Sequence, residues 1–192
     1  KNQKGKTIYK DFGEMLFTHF GVSGPMILTA SRHIIKDLQY QNFNIEIDLK
    51  PALDEKALDN RILRDFQKYS NRDFRNALDD LLPQKMIPVM ILLTKIPENK
   101  KVHDITKEER KRIVKQIKHM TITVYDTRGF DEAVITCGGV CVDEIDPSTM
   151  ESKKIKGLYF SGEVLDVDAY TGGFNLQIAF STGYTAAENI RS

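Results

Sequence analysis

The sequence predicts an α+β chain: a β framework interrupted by a helical subdomain, closing with a strand–loop–helix unit of α/β type. Three observations predict it. Residues 42–50 (NFNIEIDLK) alternate Phe43, Ile45, Ile47 and Leu49 with polar neighbours, the two-residue period of a half-buried strand. Residues 52–119 switch to apolar spacings of three and four, the period of helices packed on one face. Residues 157–190 run from a short apolar stretch through an acidic loop and a Gly-Gly pair into an amphipathic helix.

The elements follow in order. Thr7 to Thr18 reads as short β segments, and the aromatic-rich run Glu14–Phe20 ends at Gly21. Gly21–Pro25 is a turn, and Pro25 suits the first position of a helix, where a missing N–H costs nothing. That helix carries Met26, Ile27, Leu28, Ala30 and Ile34. After Pro51, residues 54–82 read as helical through Leu58, Ile62, Leu63, Phe66 and Tyr69. Ser70 or Asn71 is the expected cap of a second helix bearing Phe74, Leu78, Leu81 and Leu82. Pro83 opens a third stretch over 84–94, broken by Pro88, whose Met86, Ile87, Val89, Met90, Ile91 and Leu92 are expected to pack the subdomain or to face a pocket. Thr106–Glu109 matches a capping box and starts a helix with Ile113, Val114, Ile117 and Met120 along one stripe. Residues 122–125 and 132–136 flank a turn and predict a hairpin. Leu158–Ser161 predicts a short buried strand. Residues 174–190 predict a helix with Leu176, Ala179, Phe180, Gly183, Ala187 and Ile190 on its packed stripe.

The bulk properties narrow the class. The 192 residues are 41% hydrophobic and 29% charged, with a net charge of +1. That is ordinary for a globular chain and gives no global field for nucleic acid or membrane. Two cysteines are too few for a disulfide framework and fit a reducing cytoplasm. No apolar run is long enough for a spanning helix. The chain opens on Lys1, so a piece of a longer protein is expected.

The segment from Gly157 to Tyr184 carries the chemistry. Its strand would deliver Glu163 to a strand end, where open α/β sheets place their ligands. A carboxylate there accepts hydrogen bonds from sugar hydroxyls. Gly172 and Gly173 put no side chain between the backbone and a ligand. The helix opening at Phe174 offers unpaired N–H groups and about half a positive charge, which suits a phosphate or a ring edge gaining electrons. An ordinary βα unit with a tight turn has the same pattern, and the residues alone leave both readings open.

Three blocks, Leu16–Pro25, Ala133–Lys153 and Gly157–Tyr184, resemble in order and spacing the C-terminal signature of flavoproteins of the YhiN/BaiN type, also labelled aminoacetone oxidase family FAD-binding enzymes. The resemblance covers nearly the whole chain. It implies an insert domain over residues 1–138, with a barrel-like β part and a helical subdomain at about 52–119. Residues 139–192 would then end an α/β FAD/NAD(P)-binding, Rossmann-like domain that begins in a preceding segment. It also implies an FAD-dependent oxidoreductase linked to NAD(P)H and acting on a small-molecule substrate. Gly162 and Glu163 would lie by the ribityl and pyrophosphate part of the cofactor. Gly172, Gly173, Phe174, Asn175 and Leu176 would line the pyrimidine edge of the flavin ring. Thr136, Gly138 and Gly139 would approach the ring from another side, and Asp166, Asp168 and Thr171 would shape the connecting loop. The chain departs from the pattern in having no G-x-G-x-x-G after a strand, so these residues alone are expected to bind FAD weakly or not at all.

The remaining features have plainer readings. Cys137 and Cys141 are expected to be small buried residues, since strand positions four apart lie about 13 Å from one another, too far for a disulfide. Neither they nor the scattered His19, His33, His103 and His119 form a metal set. Residues 100–118 hold eight lysines and arginines against three acids, and a solvated helix face is favoured over a nucleic-acid patch. The competing readings are a docking or lid module without flavin and, behind it, a nucleic-acid adaptor built on the basic helix. No residue stands out as an acid, base or nucleophile.

Overall fold

In the computed structural model residues 1–190 are described; the last two, which the expected C-terminal segment includes, lie outside the described residues. The contacts gather Asn44–Val124 into one compact unit, and Lys1–Phe43 with the chain from Tyr125 onward into another.

The chain opens with a tight antiparallel hairpin, β1 (Leu16–Thr18) and β2 (Gly21–Ser23), in which Phe17 faces Val22. The β segments expected over residues 7–13 do not form. Helix α1 (Pro25–Arg32) starts on proline as expected, and α2 (Ile35–Leu38) is a single further turn.

Strand β3 (Phe43–Ile47) buries Phe43 and Ile47 at its two ends. Helix α3 (Glu55–Lys68) begins at Asp54, whose Oδ1 accepts the Ala57 N–H at 2.7 Å. Leu58, Ile62 and Phe66 form its buried stripe. The short α4 (Phe74–Ala77) is preceded by Asp73 rather than by the expected cap Ser70 or Asn71, because residues 69–72 are drawn into a turn closed by the Arg72 N–H on Tyr69 O. Pro88 does not break α5 (Ile87–Thr94); it sits in the first turn, where its lack of an N–H is harmless. Helix α6 (Lys107–Lys118) opens on the complete capping box: Thr106 Oγ1 accepts the Glu109 N–H, and Glu109 accepts the Thr106 N–H. These helices close over Leu58, Ile62, Phe74, Leu78, Met90, Ile113 and Ile117, all essentially without exposed surface. Each such side chain contributes on the order of 2 kcal/mol. Strand β4 (Met120–Val124) pairs with β3. The hairpin expected over residues 122–136 is therefore wrong: β4 finds its partner some 75 positions earlier, and residues 130–132 are a 3₁₀ turn instead.

The C-terminal part has little regular structure before α7 (Phe174–Asn189). The expected strand Leu158–Ser161 reduces to one antiparallel bridge, Tyr159 with Glu151, beside the hydrogen bonds Ser152 N–H to Leu158 O and Phe160 N–H to Met150 O. A small core of Ile145, Met150, Leu165 and Ala186 holds this region. Helix α7 packs through Asn175, Ile178, Ala179, Thr182 and Ala186, while Leu176, Phe180 and Tyr184 are exposed by 60–71%. Of the stripe expected to be packed, Leu176, Phe180, Ala187 and Ile190 face outward, while Ala179 and Gly183 are half-buried. No described helix is long and apolar enough to cross a membrane.

Candidate functional site

The site is built where three segments meet ahead of α7. The first is the stretch 136–140, which pairs with 164–166: the Val140 N–H donates to Val164 O at 2.8 Å and the Asp166 N–H to Val140 O at 2.9 Å. Gly138 adds its N–H to Asp166 Oδ1 at 3.1 Å. Gly139 lies so close to the opposite chain that a Cβ would stand 2.5 Å from Val164 O. The second segment is the 3₁₀ turn Gly162–Val164, in place of the expected strand end. It is anchored to α7 by the Gly162 N–H donating to Thr182 Oγ1 at 2.9 Å. The third is the loop 166–173. Asn175, in the first turn of α7, accepts the Ala169 N–H at 2.8 Å and donates to Ala169 O at 3.0 Å, tying this loop to the helix mouth.

These segments enclose a narrow cleft lined by Thr136, Gly162, Glu163 and Asn175, with Ile135, Val167 and Ile178 as its apolar wall. Four of the residues singled out in the sequence come together there. Thr171, Gly172 and Gly173 form the exposed turn before the helix, with Gly173 in the left-handed region at φ 88°. No side chain caps α7, so none of its first N–H groups is taken by a capping side chain. Phe174 points to a second cleft, and the Leu176 side chain lies on the outer face, away from the first.

Asp168 plays a part that spacing did not reveal. Its Oδ2 accepts hydrogen bonds from Arg32 Nε at 2.8 Å and from the Cys137 thiol at 3.0 Å. Burial works against its charge, but the two donors outweigh it and hold the carboxyl below its ordinary range. The same hydrogen bond pushes the Cys137 thiol up, so it stays protonated at neutral pH. Both cysteines are free and exposed, which corrects the expectation of burial: residues 137–141 cross the surface in place of a covered strand. Arg32, Tyr170, His33 and Tyr9 were missed. The Arg32–Asp168 pair spans 136 positions, and no local pattern announces it. Among the described residues no group of three His, Cys, Asp or Glu could hold a metal.

An uncapped helix mouth, a bare Gly-Gly turn and a carboxylate beside a cleft suit a large cofactor with a polar ring edge and hydroxyls. Residues 1–135 match the family model described as HI0933-like protein barrel and H2TH domain. The chain belongs to the HI0933-like family. Among relatives of this HI0933-like chain, a 3-dehydro-bile acid delta(4,6)-reductase of Clostridium scindens is 32% identical over 94% of the chain and 44% of the relative. A ribosomal RNA dihydrouridine synthase of Haemophilus influenzae is 35% identical over 97% of the chain and 43% of the relative. Its namesake in Escherichia coli is 29% identical over 96% and 43%. The chain thus spans less than half the length of the curated relatives it matches.

Proposed function

We propose that this chain is the C-terminal part of an FAD-dependent, NAD(P)H-linked reductase that saturates a carbon–carbon double bond conjugated to a carbonyl. The reading is supported above all by the cleft where Thr136, Gly162, Glu163 and Asn175 meet beside the uncapped start of α7. The relatives' names support the reaction. One removes double bonds from a 3-oxo bile acid and two turn uridine into dihydrouridine, and both changes add hydrogen to a C=C next to a C=O.

FAD would supply the hydride chemistry, and the chain's own residues hold and tune it. The free N–H groups of α7 stabilise negative charge at a ring edge, because each donates without first breaking a bond. Glu163 accepts hydrogen bonds from cofactor hydroxyls. Gly172 and Gly173 let the backbone come close, with Thr171 and Asp166 shaping the turn. Asn175 keeps the loop at 169 locked to the helix, and Thr136, Gly138 and Gly139 flank the opposite side. On this reading residues 1–138 are an insert domain and the rest completes the cofactor domain.

The complete polypeptide is expected to purify yellow, with Glu163→Ala and Gly173→Val each lowering FAD occupancy. A colourless protein that takes up no flavin would sink the reading, and full occupancy in both variants would move the site elsewhere. A second reading makes the substrate an RNA base, against the sequence-based expectation of no nucleic-acid partner. What favours it is charge: residues 44–124 carry 17 lysines and arginines against 13 acids, while the remainder holds 11 against 14.

A further inference from the structure

Arg32 closes α1 with its side chain 42% exposed, and it is held from behind. Asp168 takes Nε through Oδ2 at 2.8 Å, and the Cys137 thiol loads the same oxygen, fixing the carboxylate. The grip is single. Arg110, by contrast, gives both Nε and Nη2 to Asp59. The outer fork of Arg32 therefore remains for a ligand, and a guanidinium fork suits two oxygens or one strong acceptor. Arg32, Tyr170 and Phe174 line a shallow, widely open cleft. The guanidinium carbon stands 5.8 Å from the Tyr170 ring centre. Behind that ring, His33 meets Tyr170 edge-on at 6.3 Å and stacks on Tyr9 at 4.8 Å. A solvated surface ion pair does not need a partner carboxylate only 17% exposed, nor a row of packed rings beside it.

We propose that this cleft is a ligand subsite for a flat conjugated compound bearing a carbonyl or carboxylate oxygen. The oxygen lies on the Arg32 fork and the plane rests against Tyr170 and Phe174. Asp168 is a positioning residue that orients the guanidinium. The inference rests on the flavin reading in one respect: Phe174 also begins α7, which sets the subsite beside the element read as holding the cofactor. A substrate gripped there by its carbonyl has that oxygen polarised by a cation, which is what reduction of a conjugated double bond asks of it.

The test is calorimetric titration of the complete protein with trans-cinnamate and, separately, with uridine, which distinguishes a carboxylic acid from a nucleobase carbonyl without a competing phosphate. Arg32→Ala is expected to weaken whichever compound binds by about ten- to a hundredfold. Arg32→Lys should retain part of that affinity, and Tyr170→Leu should cost several-fold, all with flavin content unchanged. Wild-type affinity in Arg32→Ala overturns the proposal, as does a wild-type protein that binds neither compound. Loss of flavin together with the ligand also overturns it, by making Arg32 a cofactor contact. A colourless protein that still binds either compound through Arg32 keeps the subsite and defeats the flavin reading alone.

Discussion

Gly139 sits at φ 145° with Val164 O, Leu165 C and Asp166 N in the space a Cβ would fill. Gly138, its neighbour, has φ 102° but open space around it. Alanine at 138 therefore meets backbone strain alone, about 1 kcal/mol, whereas alanine at 139 adds a clash with main chain that cannot rotate away, about 3 kcal/mol in all. Urea unfolding of the two variants checks the order; equal losses would mean that the 138–140 and 164–166 pairing is not tight. His119 gives a pH-dependent counterpart. Hydrogen bonds to Glu55 and then Glu46, at 3.1 and 3.2 Å, outweigh burial and raise its pKa above the ordinary value. The charged form is thus favoured by folding. The added stability is fully present below about pH 6.5 and is lost as pH rises through the folded value. The step is small, because the imidazole is 44% exposed. An NMR titration should find the ring titrating above 6.5, and His119→Gln should flatten the step. Gly172, Gly173 and Glu163 stand out in the sequence by type and spacing and Asn175 through the resemblance, and the structure brings Glu163 and Asn175 to one cleft. Arg32 does not stand out, because its partner Asp168 lies across the whole unit.

Elements stabilised by their own sequence were the legible ones. The box at Thr106 and Glu109, the proline start of α1 and the alternation of β3 are all written within a few residues, and all formed. Thr106→Ala removes the acceptor of the Glu109 N–H and is expected to cost about 1 kcal/mol. Asp73→Ala, at a helix start whose side chain makes no cap bond, should cost less. A shift in unfolding midpoint larger for Asp73 than for Thr106 would contradict the cap assignment. The elements that failed depend on partners. A hairpin over 122–136 is predicted by its turn, yet β4 pairs with β3, and 133–136 pairs with no strand among the described residues. Helix α7 is apolar on both faces, so periodicity alone does not choose which packs. The choice fell to the face whose polar atoms bond: Asn175 to residue 169 and Thr182 to Gly162.

At the scale of the molecule the two substrate readings make opposite electrostatic demands. The basic excess of residues 44–124 is four charges, 17 minus 13, and several of the cations are already paired. Arg110 is spent on Asp59, Lys118 on Asp48, Lys100 on Glu109, Arg61 on Asp65 and Lys101 on Asp73. The first three hold α6 to its neighbours, while Arg61–Asp65 lies within α3 and Lys101–Asp73 ties the segment before α6 to the start of α4. Lys107, Lys111 and Lys115 remain, exposed and four residues apart, so they lie along one stripe of α6. Three lysines facing a phosphate backbone would release about three counterions, a slope near −2 to −3 in log affinity against log salt. If the RNA reading holds, the complete protein binds structured RNA with such a slope, and the triple change of these lysines to glutamine removes most of it. Affinity that ignores salt, or a triple variant that binds as before, would leave the stripe a solvated helix face. It would also return the substrate to a small conjugated molecule, for which the net charge of +1 offers no steering.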